Sequence, residues 1–80
     1  MPTVLMIDGF RLIIFSNDHP PAHVHVKQAE GGAKVSLNPV EITEYWKLNP
    51  RQLRRIEDIV SDNQDYLLEK WNELHGDDNE

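Results

Sequence analysis

The chain has no cysteine, so neither a disulfide nor a thiolate metal site can hold it together. That lack is compatible with a reducing compartment, and the expected location is the cytoplasm. No apolar run approaches the length of a membrane span. The opening segment Met1 to Ile7 lacks a basic leader and reaches Asp8-Gly9 at once, which is not a signal peptide. Basic residues are also scarce, eight against 14 acidic, for a net charge of −6. Such a chain has no general electrostatic pull toward nucleic acid, so contact with RNA is disfavoured unless it is local. With four glycines there is no Gly-rich phosphate loop. Neither a Ser/His/Asp hydrolase pattern nor a zinc-protease helix motif is present.

What is present is concentrated in Asn17-Asp18-His19-Pro20-Pro21-Ala22-His23-Val24-His25-Val26, which holds three of the four histidines. Histidines one residue apart between valines describe a strand with His23 and His25 on one face, and Val24 and Val26 toward a core. The prolines hold Asp18-His19 in a stiff entry corner. Three chemistries suit this stretch. His23 and His25, with Asp18 and His19, would supply ligands to a zinc-like divalent ion. Alternatively, His23 and His25 would act as a metal-free acid–base pair on an RNA phosphodiester, needing no cofactor, with Arg54, or its neighbours Arg51 or Arg55, supplying the cation for the developing charge if the helix start lies beside that strand. The plainer account places both histidines on the solvent face, with Asp18 capping a turn.

The remaining signals describe one α+β domain over residues 1–76, with 77–80 a frayed acidic tail. The expected fold is a small antiparallel β-meander of about four strands packed on one long C-terminal α-helix. Asp8-Gly9 between β-branched runs predicts a hairpin. Glu30-Gly31-Gly32 predicts a turn before a strand from Ala33 to Leu37, and Asn38-Pro39 the end of the sheet. Val40 to Leu48 stays open between a strand, a helical turn and a connection. Asn49 and Pro50 form a helix start. Leu53, Ile56, Val60, Asn63, Leu67, Trp71 and Leu74 then keep a helical period to Gly76. Ser61-Asp62-Asn63 competes for backbone hydrogen bonds, but the unbroken period favours a single helix. So small a core makes a homodimer a reasonable expectation.

The only basic cluster is Arg51, Arg54 and Arg55, at a helix start where cations oppose the macrodipole. It fits an anion or acidic partner, or more plainly an Arg54–Asp58 pair at i+4. Trp46 is the aromatic expected to be exposed and to contact a partner. Trp71 is expected in the core. Residues 1–48 carry −1 and residues 49–80 carry −5.

Met1-Pro2-Thr3-Val4, Phe15-Ser16-Asn17, His19-Pro20-Pro21 with His23-Val24-His25-Val26, Ala33-Lys34 and Leu37-Asn38-Pro39-Val40 form a distinctive set. With Leu53-Arg54, Ile56-Glu57, Leu67-Leu68-Glu69 and Trp71 in the helix, this set resembles the small bacterial proteins classed as Domain of Unknown Function 4160. The chain departs at Ala22, where members usually carry proline. The resemblance implies a component of a toxin–antitoxin-like pair, with the product of a neighbouring gene as protein partner. On that view the chain is either a toxin acting on RNA or a non-enzymatic antitoxin or adaptor. No catalytic residue is carried over.

Overall fold

A computed structural model describes residues 3–75. Five strands, β1 (Thr3–Ile7), β2 (Phe10–Ile13), β3 (His23–Gln28), β4 (Gly31–Leu37) and β5 (Val40–Trp46), are followed by α1 (Pro50–Asp62) and α2 (Gln64–His75). The strands form one antiparallel meander in sequence order. The α+β class therefore holds, with five strands instead of four and two helices instead of one. Among the described residues no helix is long and apolar enough to cross a membrane.

The hairpin at Asp8-Gly9 forms as expected. Both residues take positive φ, 53° and 80°, the left-handed pair that matches the twist of the flanking strands. The next turn sits at Ala29-Glu30, earlier than the sequence indicated, because Gln28 pairs with Gly31. The two glycines are strand residues, and crowding requires them. A Cβ on Gly31 would lie 2.4 Å from the Lys47 carbonyl oxygen, and one on Gly32 would lie 2.5 Å from the Trp46 ring. Asn38-Pro39 does not end the sheet but turns it, pairing Leu37 with Val40 and opening β5.

One face of the sheet builds the core. Leu12 pairs with Val26, Val26 with Ala33, Val24 with Val35 and Val35 with Ile42. Ile56, Ile59, Val60, Leu67 and Trp71 pack on these residues from the helices. Burial of these side chains, at roughly 1.5–3 kcal/mol each, is the main force holding the two layers together.

Asn49 caps α1 reciprocally with Gln52. The Gln52 N–H donates to Asn49 Oδ1, and the Asn49 N–H donates to Gln52 Oε1, both at 2.8 Å. The helix then stops at Asn63. Its backbone N–H donates to the carbonyls of Ile59 and Val60, and its Nδ2 donates to Ile59 at 2.8 Å. A side chain competing for the backbone carbonyl breaks the apolar stripe into two helices. The restart is tied to the sheet by Gln64 Nε2, which donates to the Leu37 carbonyl at 2.7 Å. The break brings the C-terminal end of α2 to the corner before β3.

Candidate metal centre

The corner is a chain of short-range contacts. The Asp18 N–H donates to the Phe15 carbonyl at 3.1 Å, and the Phe15 N–H donates back to Asp18 Oδ2 at 3.3 Å. This closed turn holds the carboxylate in place before the prolines begin. The Leu37 N–H donates to the Ala22 carbonyl at 3.0 Å and fastens the far side of the corner to β4. His23 and His25 then leave on the sheet face opposite Val24 and Val26, as strand alternation requires.

The three side chains converge. His25 Nε2 lies 3.2 Å and His23 Nε2 lies 3.4 Å from the same atom, Asp18 Oδ2. All three atoms fall within 4.8 Å of one another. His23 is not solvent-facing, as the plainer account had it, but 8% exposed. Its other nitrogen, Nδ1, lies 2.9 Å from the Pro21 carbonyl, which can only accept. The Nδ1 of His23 therefore carries a proton, and in the neutral ring Nε2 presents its lone pair to the carboxylate. Two electron-rich atoms 3.4 Å apart in a largely buried site are a poor arrangement unless a positive charge stands with them.

Aromatic rings wall the cluster. The rings of Phe15 and His25, and those of His23 and His25, meet edge to face with centroids 5.1 Å apart. Trp71 reaches from α2 to 5.2 Å from His23. The fourth histidine completes the arrangement. His75 stacks on Trp71 at 3.7 Å, its Nδ1 lies 2.8 Å from the Trp71 carbonyl, and its Nε2 lies 3.0 Å from the Asp18 carbonyl. The ring stands between one of the last carbonyls of α2 and the backbone carbonyl of the residue that carries the carboxylate, and a neutral ring donates to one of the two. Sequence reasoning passed over His75. The available signal was its position four residues beyond Trp71, which places both on one helix face.

The centre opens into a cleft of about 510 Å³ lined by residues that include His19, Lys34, Ser36, Thr43 and Glu44. His19 stands exposed on this rim and does not join the three converging atoms. Trp46 is 44% exposed, in keeping with the expectation, and lies over Gly32 on β5.

The arginines are elsewhere. Gln52, one turn into α1, hydrogen-bonds Gln28 at the far end of β3, and the Arg55 guanidinium donates to Asp8 in the β1–β2 turn. Gln28 is five residues past His23, roughly 16 Å along the strand. Arg51 and Arg54 are exposed at that same end. The observed ion pair is Arg55 with Asp8, not Arg54 with Asp58.

The family model for a domain of unknown function, DUF4160, matches residues 9–72, a span that contains the whole corner and the buried core from Phe10 to Trp71. The chain belongs to the DUF4160 family. No curated protein and no solved structure matches it. Within the DUF4160 match lie Asp18, His23, His25 and Trp71, and His75 falls just outside it.

Proposed function

We propose that the chain binds one zinc-like divalent ion through Asp18 Oδ2, His23 Nε2 and His25 Nε2, and that the bound ion faces the cleft for hydrolytic chemistry. The observation that carries this reading is the convergence of the three side chains, with His23 Nδ1 held at the Pro21 carbonyl so that in the neutral ring the Nε2 lone pair faces the carboxylate. Bonds of about 2.0–2.1 Å in a tetrahedral site set neighbouring ligand atoms ~3.4 Å apart. Two of the three spacings, 3.4 Å and 3.2 Å, match that value, and the three ligand atoms all lie within 4.8 Å of one another. Three protein ligands and a free position toward a cleft are the pattern of a catalytic zinc site rather than a closed structural one. An ion there would lower the pKa of a bound water toward neutrality. The metal-free acid–base reading has less support, because its cation, Arg54, lies at the other end of the sheet. The test is the melting temperature in EDTA and then with zinc, nickel or manganese. A metal-specific rise that His23→Ala and His25→Ala each remove is the expected result. No rise with any of the three would overturn it.

A second reading has its own observation. The edge strands β1 and β5 expose Met6 and Tyr45, large apolar side chains beside unpaired strand backbone. This supports a protein-binding module, the antitoxin-like or adaptor role implied by the family resemblance. Stoichiometric coelution with the product of the neighbouring gene, retained in His23→Ala, is its test.

A further inference from the structure

The face of the sheet away from the helices has a charge unlike the rest of the molecule. Cross-strand partners share a face. Met6 pairs with Arg11, Arg11 with Lys27, Lys27 with Gly32, and Gly32 with Trp46. One step along, Ile13 pairs with His25, His25 with Lys34, and Lys34 with Glu44. The first row therefore presents two cations and an indole, and the second presents a third cation, faced by Glu44, beside the candidate metal centre. Most of the acidic excess belongs to residues 49–80, and the helix layer behind the sheet is formed by Pro50–Asp62 and Gln64–His75.

Arg11 directly opposite Lys27 is unfavourable for folding, because like charges facing each other across a strand pair repel. Among the described residues none of Arg11, Lys27 and Lys34 has an ion-pair partner. Between Arg11 and Lys27 lies a shallow cleft of about 180 Å³, closed at its edges by Met6, Gly9, Gln28 and Ala29. An anion there would relieve the repulsion. Successive outward residues are about 7 Å apart along a strand, so the cations form a short track toward His25. Trp46 stands at the end of the first row, its indole over Gly32. The absence of a side chain on Gly32 gives the indole room to lie there. A cationic track beside an exposed aromatic ring is how sequence-tolerant single-strand binding is built. An acidic peptide would use the cations and leave the indole without a role. The −6 net charge does not forbid this, since screening over roughly 8–10 Å makes the local face decisive at ordinary salt.

We propose that Arg11, Lys27, Lys34 and Trp46 form a binding surface for single-stranded nucleic acid, with phosphates on the cations and a base on the indole. Its relevance to catalysis rests on the metal centre proposed above. The binding itself does not, and the experiment separates the two. Anisotropy of a fluorescein-labelled oligouridine RNA is measured in EDTA across a salt series starting at low salt (~20 mM). Three phosphate contacts predict a slope of about −2 in log K against log salt. The double variant Arg11→Gln/Lys27→Gln should bring the slope to about −0.7. Trp46→Ala should weaken binding by roughly tenfold with the slope unchanged. Gly32→Ala, which pushes the indole away while keeping it, should act in the same direction. No anisotropy change at low salt overturns the proposal. So does a double variant with unaltered slope, or displacement of the RNA by polyglutamate at equal charge, which would mark a site for acidic protein. Because binding is read in EDTA, loss of the metal reading leaves this result standing. Absence of RNA binding likewise leaves zinc-dependent melting untouched.

Discussion

The two ends of β3 both gather polar and charged side chains and do different things. At its start, Asp18, His23 and His25 are drawn together under Trp71 and His75, Asp18 and His23 held by backbone contacts and His25 by the Asp18 carboxylate, in a largely buried place. At its end, Gln28 meets Gln52 while Asp8 meets Arg55 in the open, and Arg11 faces Lys27 across the strands. Charges at the first end are desolvated and oriented, so each substitution there should matter. Charges at the second are screened by water and matter to folding only slightly. Burial, as well as residue type, separates a centre from a surface.

The comparison breaks most severely at Trp71, which belongs to both the core and the wall of the centre. Trp71→Ala should cost about 3–5 kcal/mol in urea unfolding, most of the stability of so short a domain. Trp71→Phe should retain much of that stability and weaken the ring contacts with His75 and His23.

Next in size is the metal effect itself. At zinc 100-fold above its dissociation constant, the ion should add about 2.7 kcal/mol, a melting rise on the order of 10–20 °C. His23→Ala should abolish that rise. His75→Ala sharpens the comparison further, since it removes a contact to the Asp18 backbone and leaves the three ligand atoms intact. Zinc affinity by competition with a chelating dye should fall about 10–100-fold, the range for groups that orient ligands. Rescue to wild-type affinity by the alanine variant would show that Asp18 needs no such support. At the opposite end, Arg55→Gln should cost no more than ~1 kcal/mol and leave zinc binding unchanged.

The local parts of this fold could be read along the chain. Asp8-Gly9 specifies its own turn, Asn49 and Pro50 specify a helix start, and alternation alone puts His23 and His25 on one face. β5 was harder. Its buried alternation is short, it is an exposed edge, and an irregularity between Lys34 and Val35 shifts its register. The helix break was harder still, because the period of Leu67 and Trp71 continues through Asn63 as if nothing interrupted it. Where α1 ends, Asn63 Nδ2 competes for the Ile59 carbonyl, a contact that the apolar period does not record.

The sequence by itself determined the class of the protein, its hairpin, its helix cap and the pairing of two histidines on a strand. All of these are settled by interactions within a few residues. Tertiary structure decided that Asp18 joins them while His19 does not, that the arginines stand at the opposite end, and that His75 arrives from 57 residues away. These depend on where the corner and α2 come to rest against the sheet. That placement follows from burying Trp71 and Leu67 on the valine face, a non-directional force summed over the whole core that no short stretch of sequence records.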